Sequence, residues 1–209
     1  MRKKPNLDKR RQNCIGIIPQ NPESLRGKWK ETFGFDRICI EIGCGKGRFI
    51  TENAKLDPKT LFIGIEREQN VFVMAAEKAI AGGLSNVLFM DIDAATLCDI
   101  FENGEINGIY LNFSDPWPKK KQAKRRLTHG DFLAKYDTVL SDDGFIFFKT
   151  DNTKLFEFSL NSMSEYGLKL QNITFDLAAS GIDNVVTEYE ARFMEQGMNI
   201  YRVEAYKRK

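Results

Sequence analysis

The sequence predicts an α/β fold, a mostly parallel seven-stranded sheet with helices on both faces. Two observations carry this. Short apolar runs at Arg37–Ile42, Leu61–Ile65, Val87–Met90, Gly108–Asn112 and Phe145–Thr150 alternate with segments of helical periodicity. A glycine-rich turn, Gly43-Cys44-Gly45-Lys46-Gly47, follows the first of these runs, where the chain must turn sharply from strand into helix. Strands alternating with helices favour parallel pairing through right-handed crossovers.

Residues 1–35 lack sustained periodicity and are interrupted by Pro5, Pro19 and Pro22. They are expected as a basic N-terminal arm, extended apart from a helical turn near Glu23–Lys30, with the folded domain spanning 36–209. After the first strand, residues 47–56 form a helix with Phe49, Ile50, Ala54 and Leu56 available for its inner face. Glu68–Ala81 is a strong helix, with Val71, Met74, Ala75 and Lys78 stepping by three or four and Gly82-Gly83 stopping it. A short helix over Ala94–Phe101 follows the third strand, and the fourth strand opens into a proline-rich loop. Thr128 with Asp131 resembles the N-terminal cap of a helix over about Gly130–Leu140. Asp142-Asp143-Gly144 is a turn into the fifth, apolar strand, and Thr153–Tyr166 is an amphipathic helix ended by Gly167. Leu168–Phe175 and Asn199–Tyr206, with a loop and a short helix between them, complete seven strands.

At 209 residues, with 42% hydrophobic and 29% charged content, the chain can build one large core. Its 31 basic and 29 acidic residues nearly cancel, so information about partners lies in where the charges sit. Arg2, Lys3, Lys4, Lys9, Arg10 and Arg11 crowd the N-terminus. Lys119, Lys120, Lys121, Lys124, Arg125 and Arg126 form a second cluster, and Lys207, Arg208 and Lys209 end the chain. Such clusters suit nucleic acid or an acidic membrane surface. No stretch approaches the roughly 20 apolar residues of a membrane span, and the N-terminus lacks the apolar segment of a signal peptide. Cys14, Cys39, Cys44 and Cys98 form no C-x-x-C pair and are expected as reduced thiols in a cytoplasmic protein. With His129 as the sole histidine, the composition argues against multi-histidine metal sites and Ser-His triads, and no metal is expected.

The chemistry then falls to carboxylates, geometry or a cofactor. Glu41 stands two residues before the G-x-G-x-G turn. A dinucleotide fingerprint would need glycine where Arg48 stands, and the GxxxxGK[ST] phosphate loop is absent. The turn suits a ligand with a positive centre in place of a phosphate. S-adenosylmethionine, with a sulfonium and an ammonium, meets that description, and Glu41 could face its methionine end. Glu66 ends the second strand, where a carboxylate can accept both hydroxyls of a ribose. Asp93 follows the third strand where an adenine would lie, with Asp91 as its rival. Singly, each acid reads as an ordinary loop residue. Together, at three successive strand ends, they point to an adenosylmethionine site.

The loop Asn112-Phe113-Ser114-Asp115-Pro116-Trp117-Pro118-Lys119-Lys120-Lys121 lies at the carboxyl end of the fourth strand, where open α/β sheets bind ligands. A carboxylate, a rigid Pro-Trp-Pro and a cationic run in one loop suit a polyanion docked beside a single acid. Trp117 either stacks on a base or is a core aromatic wedged between two prolines.

Glu41 to Gly47, Asp115-Pro116-Trp117-Pro118-Lys119-Lys120 with Lys124-Arg125-Arg126, and Thr187-Glu188-Tyr189-Glu190 together resemble the bacterial tRNA (guanine-N7)-methyltransferases. The resemblance runs from about Arg37 to the C-terminus. The DPWPKK element carries its specificity, while the glycine turn alone marks only the Rossmann-like class I methyltransferases. It implies methylation of guanine N7 at position 46 of the tRNA variable loop, with S-adenosyl-L-methionine as cofactor and tRNA as partner. It also implies that Glu41, Glu66, Asp93 and Asp115, with Gly43, Gly45 and Gly47, line the cofactor site. Lys119, Asp151 and Thr187, Glu188, Tyr189 and Glu190 would meet RNA or guanine, and Lys120, Lys121, Lys124, Arg125 and Arg126 would hold phosphates. Where members of the family often carry histidines in the basic run, this chain has Gln122-Ala123.

Guanine N7 bears a lone pair and no proton, so such a transfer needs placement rather than a general base. Asp115 is the expected catalytic residue, with Asp151 and Glu190 as further candidates to stabilise the ring. The plainer alternatives are that Asp151 caps the helix at Thr153 and that Thr187–Glu190 is a capped helical start. For the whole chain, the alternatives are a methyltransferase acting on another RNA, a protein or a small molecule, or a non-catalytic RNA-binding module of the same fold. The intact glycine turn, Glu66 and Asp115 favour the enzyme. Monomer and homodimer are both compatible with the sequence.

Overall fold

A computed structural model of the chain describes residues 6–208, so Arg2, Lys3, Lys4 and Lys209 lie outside the described residues. Seven strands form one sheet: β1 (Arg37–Ile42), β2 (Thr60–Ile65), β3 (Val87–Met90), β4 (Ile106–Asn112), β5 (Leu140–Thr150), β6 (Lys169–Thr174) and β7 (Tyr201–Tyr206). Their order is β3-β2-β1-β4-β5-β7-β6. The first five pair in parallel, and β7 runs antiparallel to both β5 and β6. From β1 the chain steps outward through β2 to β3, and from β4 it steps the other way to β5. The carboxyl ends of β1 and β4 therefore flank the topological switch point, the standard crevice for ligands in such sheets.

Alternation along the strands sorts two apolar layers onto the two faces. Ile38, Ile40 and Ile42 of β1 join one core with Leu61, Ile63, Ile109, Phe148 and Val203. Cys39 faces the other core, with Phe62, Val87 and Phe89. The second layer is closed by α1 (Leu7–Gln12), α3 (Arg48–Leu56) and α4 (Gln69–Ala81). The first is closed by α2 (Trp29–Phe33), α5 (Leu97–Ile100), α6 (Gly130–Val139) and α7 (Thr153–Tyr166). Covered on both faces, β2 and β3 are buried along their whole length, whereas the edge strand β6 buries no residue fully. The last helix, α8 (Glu188–Glu195), lies between β6 and β7 in the chain. No helix among the described residues is long and apolar enough to cross a membrane.

Gly64, inside β2, shows how closely the layers meet. A Cβ there would come within 2.7 Å of the Phe89 ring and 2.9 Å of Cys44 Sγ, so only glycine lets the glycine turn sit on the strand. Gly47 combines a left-handed φ of 77° with an equally close approach, 2.8 Å from its would-be Cβ to the Ala75 methyl.

Several elements differ from the sequence reading. From residue 6 onward the N-terminal segment is not extended. α1, 3-10 turns at Ile15–Ile17 and Pro22–Leu25, and α2 wrap the domain, burying Leu7, Cys14, Ile18 and Trp29. Arg10 pairs with Glu77 of α4 (2.6 Å) and Arg11 with Asp91 after β3 (2.7 Å), so two of the basic residues are spent on the fold. On α4 the buried face is Phe72, Val73, Ala75, Ala76 and Ala79, not the stripe of Val71, Met74 and Lys78, because α1 covers part of its flank. Leu56, at the last turn of α3, is 74% exposed. The cap of α6 is His129, whose Nδ1 accepts from Asp131 N (3.1 Å), because the Thr128 hydroxyl is engaged by Ser159 (2.7 Å). β5 begins at Leu140, pairing with Ile106 before a register shift absorbs the Asp142-Asp143-Gly144 segment.

Candidate active site at the strand ends

Five acids, Glu41, Glu66, Asp91, Asp93 and Asp115, stand at or just beyond the carboxyl ends of β1 to β4, on the rim where the switch point opens. Glu41 of β1 is 2% exposed. Its Oε1 accepts from Asn112 Nδ2 of β4 (2.8 Å), while its Oε2 is buried without a partner. Burial pushes its carboxyl up to about 7 and nearby Glu66 adds to the rise, against the opposing pull of Asn112 and Lys149. Glu66 is half-buried and braces the glycine turn: Gly45 N donates to its Oε2 (3.1 Å) and Glu68 N to its Oε1 (2.8 Å). The turn is further tied to β2, because Gly43 N and Cys44 N both donate to Ile65 O (2.8 and 3.0 Å).

The two rivals after β3 have different surroundings. Asp91 is gripped in a two-pronged pair with Arg11, at 2.7 and 3.0 Å. Asp93 is exposed, caps the next 3-10 turn through Ala95 N (2.9 Å) and meets Arg67 at 3.1 Å.

Beyond β4 the chain takes a constrained path. Phe113 and Trp117 both adopt left-handed φ values, 51° and 40°, which non-glycine residues hold only when their surroundings enforce it. Here Phe113 N donates to Lys149 O (2.9 Å), and Arg126 donates to the carbonyls of Pro116 and Trp117 (both 3.1 Å). Asp115 sits exposed between these anchors. Trp117 is half-buried, outside the core, with the Arg125 guanidinium 4.9 Å from its ring centroid. Arg126, whose guanidinium is 4.3 Å from the centroid of Phe158, helps to hold the loop. Lys119, Lys120, Lys121 and Lys124 are exposed.

Asp151 follows β5 and is half-buried. It is not the cap of α7, since Asn152 accepts from Leu155 N (2.9 Å). Thr187 to Glu190 begin α8 as a full capping box, with Glu190 N donating to Thr187 Oγ1 at 2.9 Å. Tyr189 is exposed and stacks on Phe113, 6.3 Å between centroids, which sets α8 beside the loop after β4. Glu188 pairs with Lys78 (2.8 Å). Glu190 points inward, 1% exposed, onto Lys149 (2.8 Å) and Asn184. Burial pulls the Lys149 ammonium down from its usual range, while Glu190 holds it up. Lys149, Asn112 and Asn184 were not among the expected site residues, although a lysine inside the apolar run 145–150 was a readable signal. They line a cavity of about 450 Å³ with Phe49, Tyr110 and Arg202.

Residues 36–203 match the family described as "Putative methyltransferase". The chain is 53% identical over 191 residues to a tRNA (guanine-N(7)-)-methyltransferase of Geobacillus kaustophilus, covering 90% of this chain and 88% of that one. It is 46% identical to the protein of the same name from Streptococcus uberis, covering 99% of both. Among solved structures it resembles, at 12% identity and a TM-score of 0.60, a 16S rRNA (adenine(1408)-N(1))-methyltransferase from Catenulisporales acidiphilia determined with cosubstrate SAM, covering 88% of this chain and 91% of that one.

Proposed function

We infer the reaction from one premise: the chain belongs to the tRNA (guanine-N7)-methyltransferase family. It methylates N7 of a guanine in tRNA, the base at position 46 of the variable loop. The observation that carries this reading is the 46% identity to a relative of that name across 99% of both chains, so the likeness spans the entire site.

The strand ends suit S-adenosyl-L-methionine. The orphaned Glu41 Oε2 is a buried acceptor in need of a cationic or donor partner. Above the turn there is room, since a Cβ on Gly43 or Gly45 would meet nothing within 4 Å. Glu41 would take the charged methionine end, and Gly43, Gly45 and Gly47 would let the ligand approach the main chain. Glu66 would accept the ribose hydroxyls on lone pairs left free by its two backbone contacts. Asp93 would meet the adenine, Asp91 being held by Arg11. Bound there, S-adenosylmethionine supplies a methyl group already activated on a sulfonium sulfur.

The chain's residues are then left with placement and charge. Guanine N7 carries no proton, so none of them has to act as a base. Asp115 orients the base and stabilises the positive charge that develops in the purine ring. Lys119 and Asp151 flank it, and Thr187, Glu188 and Tyr189 close the site from α8, with Glu190 held inward as the anchor of that segment. N7 faces the groove of a stacked helix, so the base must be locally exposed to reach Asp115.

The pH dependence of cofactor binding tests the place given to Glu41. A cationic ligand prefers the ionised carboxylate, so affinity should rise as pH rises through about 7, the range in which free Glu41 titrates. Glu41→Gln is expected to weaken binding and to remove that component of the profile. Calorimetry of both proteins over a pH series checks it, and parallel profiles would contradict the assignment.

Lys120, Lys121 and Lys124, with Arg125, are exposed and serve as phosphate contacts. Replacing Lys120, Lys121 and Lys124 with alanine should flatten the slope of log affinity for tRNA against log salt by up to ~3 units, about one per contact. Filter binding across a salt series reads this directly, and an unchanged slope would assign the run to solvent. The function itself is tested by offering bulk tRNA, ribosomal RNA and protein with methyl-labelled cofactor. Label is expected in tRNA alone.

A further inference from the structure

Lys149 is the one charge in the run Phe145-Ile146-Phe147-Phe148-Lys149-Thr150 that ends β5. Its side chain is only 4% exposed, and a buried ammonium is tolerated only when its donors are satisfied. Nζ has three acceptors: Glu190 Oε2 at 2.8 Å, Asn184 Oδ1 at 2.8 Å and Val185 O at 3.1 Å. Its cation also lies 4.8 Å from the ring centroid of Phe49 on α3. All three acceptors belong to one strap, residues 184–190, which leads into α8. Glu190 passes the restraint on, because its Oε1 accepts from Asn184 and its Oε2 from Thr187 N (3.3 Å).

The same residue holds the loop after β4, through the bond from Phe113 N to Lys149 O (2.9 Å). Phe113 in turn stacks on Tyr189 and Phe193 of α8, at 6.3 and 5.9 Å between centroids. Lys149 is thus the junction of the two segments that carry the substrate-facing residues. Apart from these stacks, the contacts that hold α8 are mainly polar. α8 buries no apolar side chain, its one buried residue being Glu190, and the Lys78–Glu188 pair is partly exposed.

We propose that Lys149 is a positioning residue for methyl transfer, clamping the 184–190 strap, and with it α8, against the loop that carries Asp115. The proposal rests on the tRNA methyltransferase reading above. It differs from a plain stabilising role in its footprint, since a clamp on a strap that buries no apolar side chain of α8 fully can be released while the sheet stays intact.

Lys149→Met, which keeps the stem and removes the charge, separates the two. Amide hydrogen exchange across 184–195 should accelerate by ~10-fold or more while β1, β2 and β4 keep their protection. Single-turnover methylation at saturating tRNA and cofactor should fall by ~30-fold or more, with cofactor affinity within about threefold of wild type when measured well above pH 7, where Glu41 is ionised in both proteins. Unchanged exchange in the strap, a loss of protection spread evenly over the sheet, or a rate within about threefold of wild type would each overturn the proposal. Should Lys149→Met fail to fold, Asn184→Ala removes one acceptor and keeps the ion pair. Faster strap exchange and slower transfer are expected there too, and wild-type values in either would overturn it. A wild-type protein that leaves tRNA unlabelled would instead sink the methyltransferase reading, and the exchange data would decide the clamp alone.

Discussion

Asp115→Asn is expected to lower the single-turnover rate of methyl transfer by ~100-fold or more while tRNA and cofactor still bind, the mark of an interaction made mainly in the transition state. The substitution preserves shape and removes only the anion. The loop around it is pinned on both sides, by Phe113 N on Lys149 O and by Arg126 on the carbonyls of Pro116 and Trp117. A neutral side chain should therefore occupy the same place with the backbone unmoved. Because N7 has no proton to lose, the wild-type rate with both substrates saturating should show no ionisation of a base near neutral pH. Near-wild-type turnover in the Asn variant would transfer the role to Asp151, at the end of the neighbouring strand.

Trp29→Ala is expected to destabilise the protein by about 3–5 kcal/mol, the usual cost of emptying a large buried aromatic site. Trp29 is fully buried, packed 5.3 Å from Phe101 and 5.7 Å from Phe33 between ring centroids. Its Nε1 donates to Ile100 O (3.0 Å), and its backbone N donates to buried Glu105 (3.1 Å), which also accepts from Gly27 N (3.0 Å). The indole is thus the plug that fastens the N-terminal segment to the core, and its loss leaves a cavity and an unpaired carbonyl. Urea unfolding should show a lower midpoint at similar slope. A loss below about 1 kcal/mol would mean that the segment is only laid on the domain.

The difference between that segment and the rest shows what a sequence makes legible. Strands β1 to β5 and helices α4 and α7 announce themselves through local period, and the fold class follows. Glu41, Glu66 and Asp93 could be picked out because each sits where an apolar run stops. The N-terminal segment carries its anchors at irregular spacings, Leu7, Cys14, Ile18 and Trp29, with partners such as Ile100 and Glu105 some 70 residues away. No periodicity betrays such contacts, and three prolines suggested an open chain. The inward contacts of Arg126 and Glu190 were hidden for the same reason. Their inward partners, the Pro116 and Trp117 carbonyls and Lys149, are set by tertiary packing, and the Glu190 contact spans 41 positions. The cap at His129 was displaced by one residue because Ser159, on a different helix, engages the Thr128 hydroxyl.

If Asp115 serves methyl transfer to N7 of one guanine in tRNA, the product and its dependence on this carboxylate can be read together. The most direct test is to modify unmodified tRNA with the purified protein and map the product, digesting for nucleoside mass spectrometry and cleaving the chain chemically at 7-methylguanosine. One methyl group per tRNA is expected, as 7-methylguanosine, at position 46 of the variable loop, and none with Asp115→Asn on the same timescale. A methyl group on another atom or another base, or equal modification by the Asn variant, would contradict it.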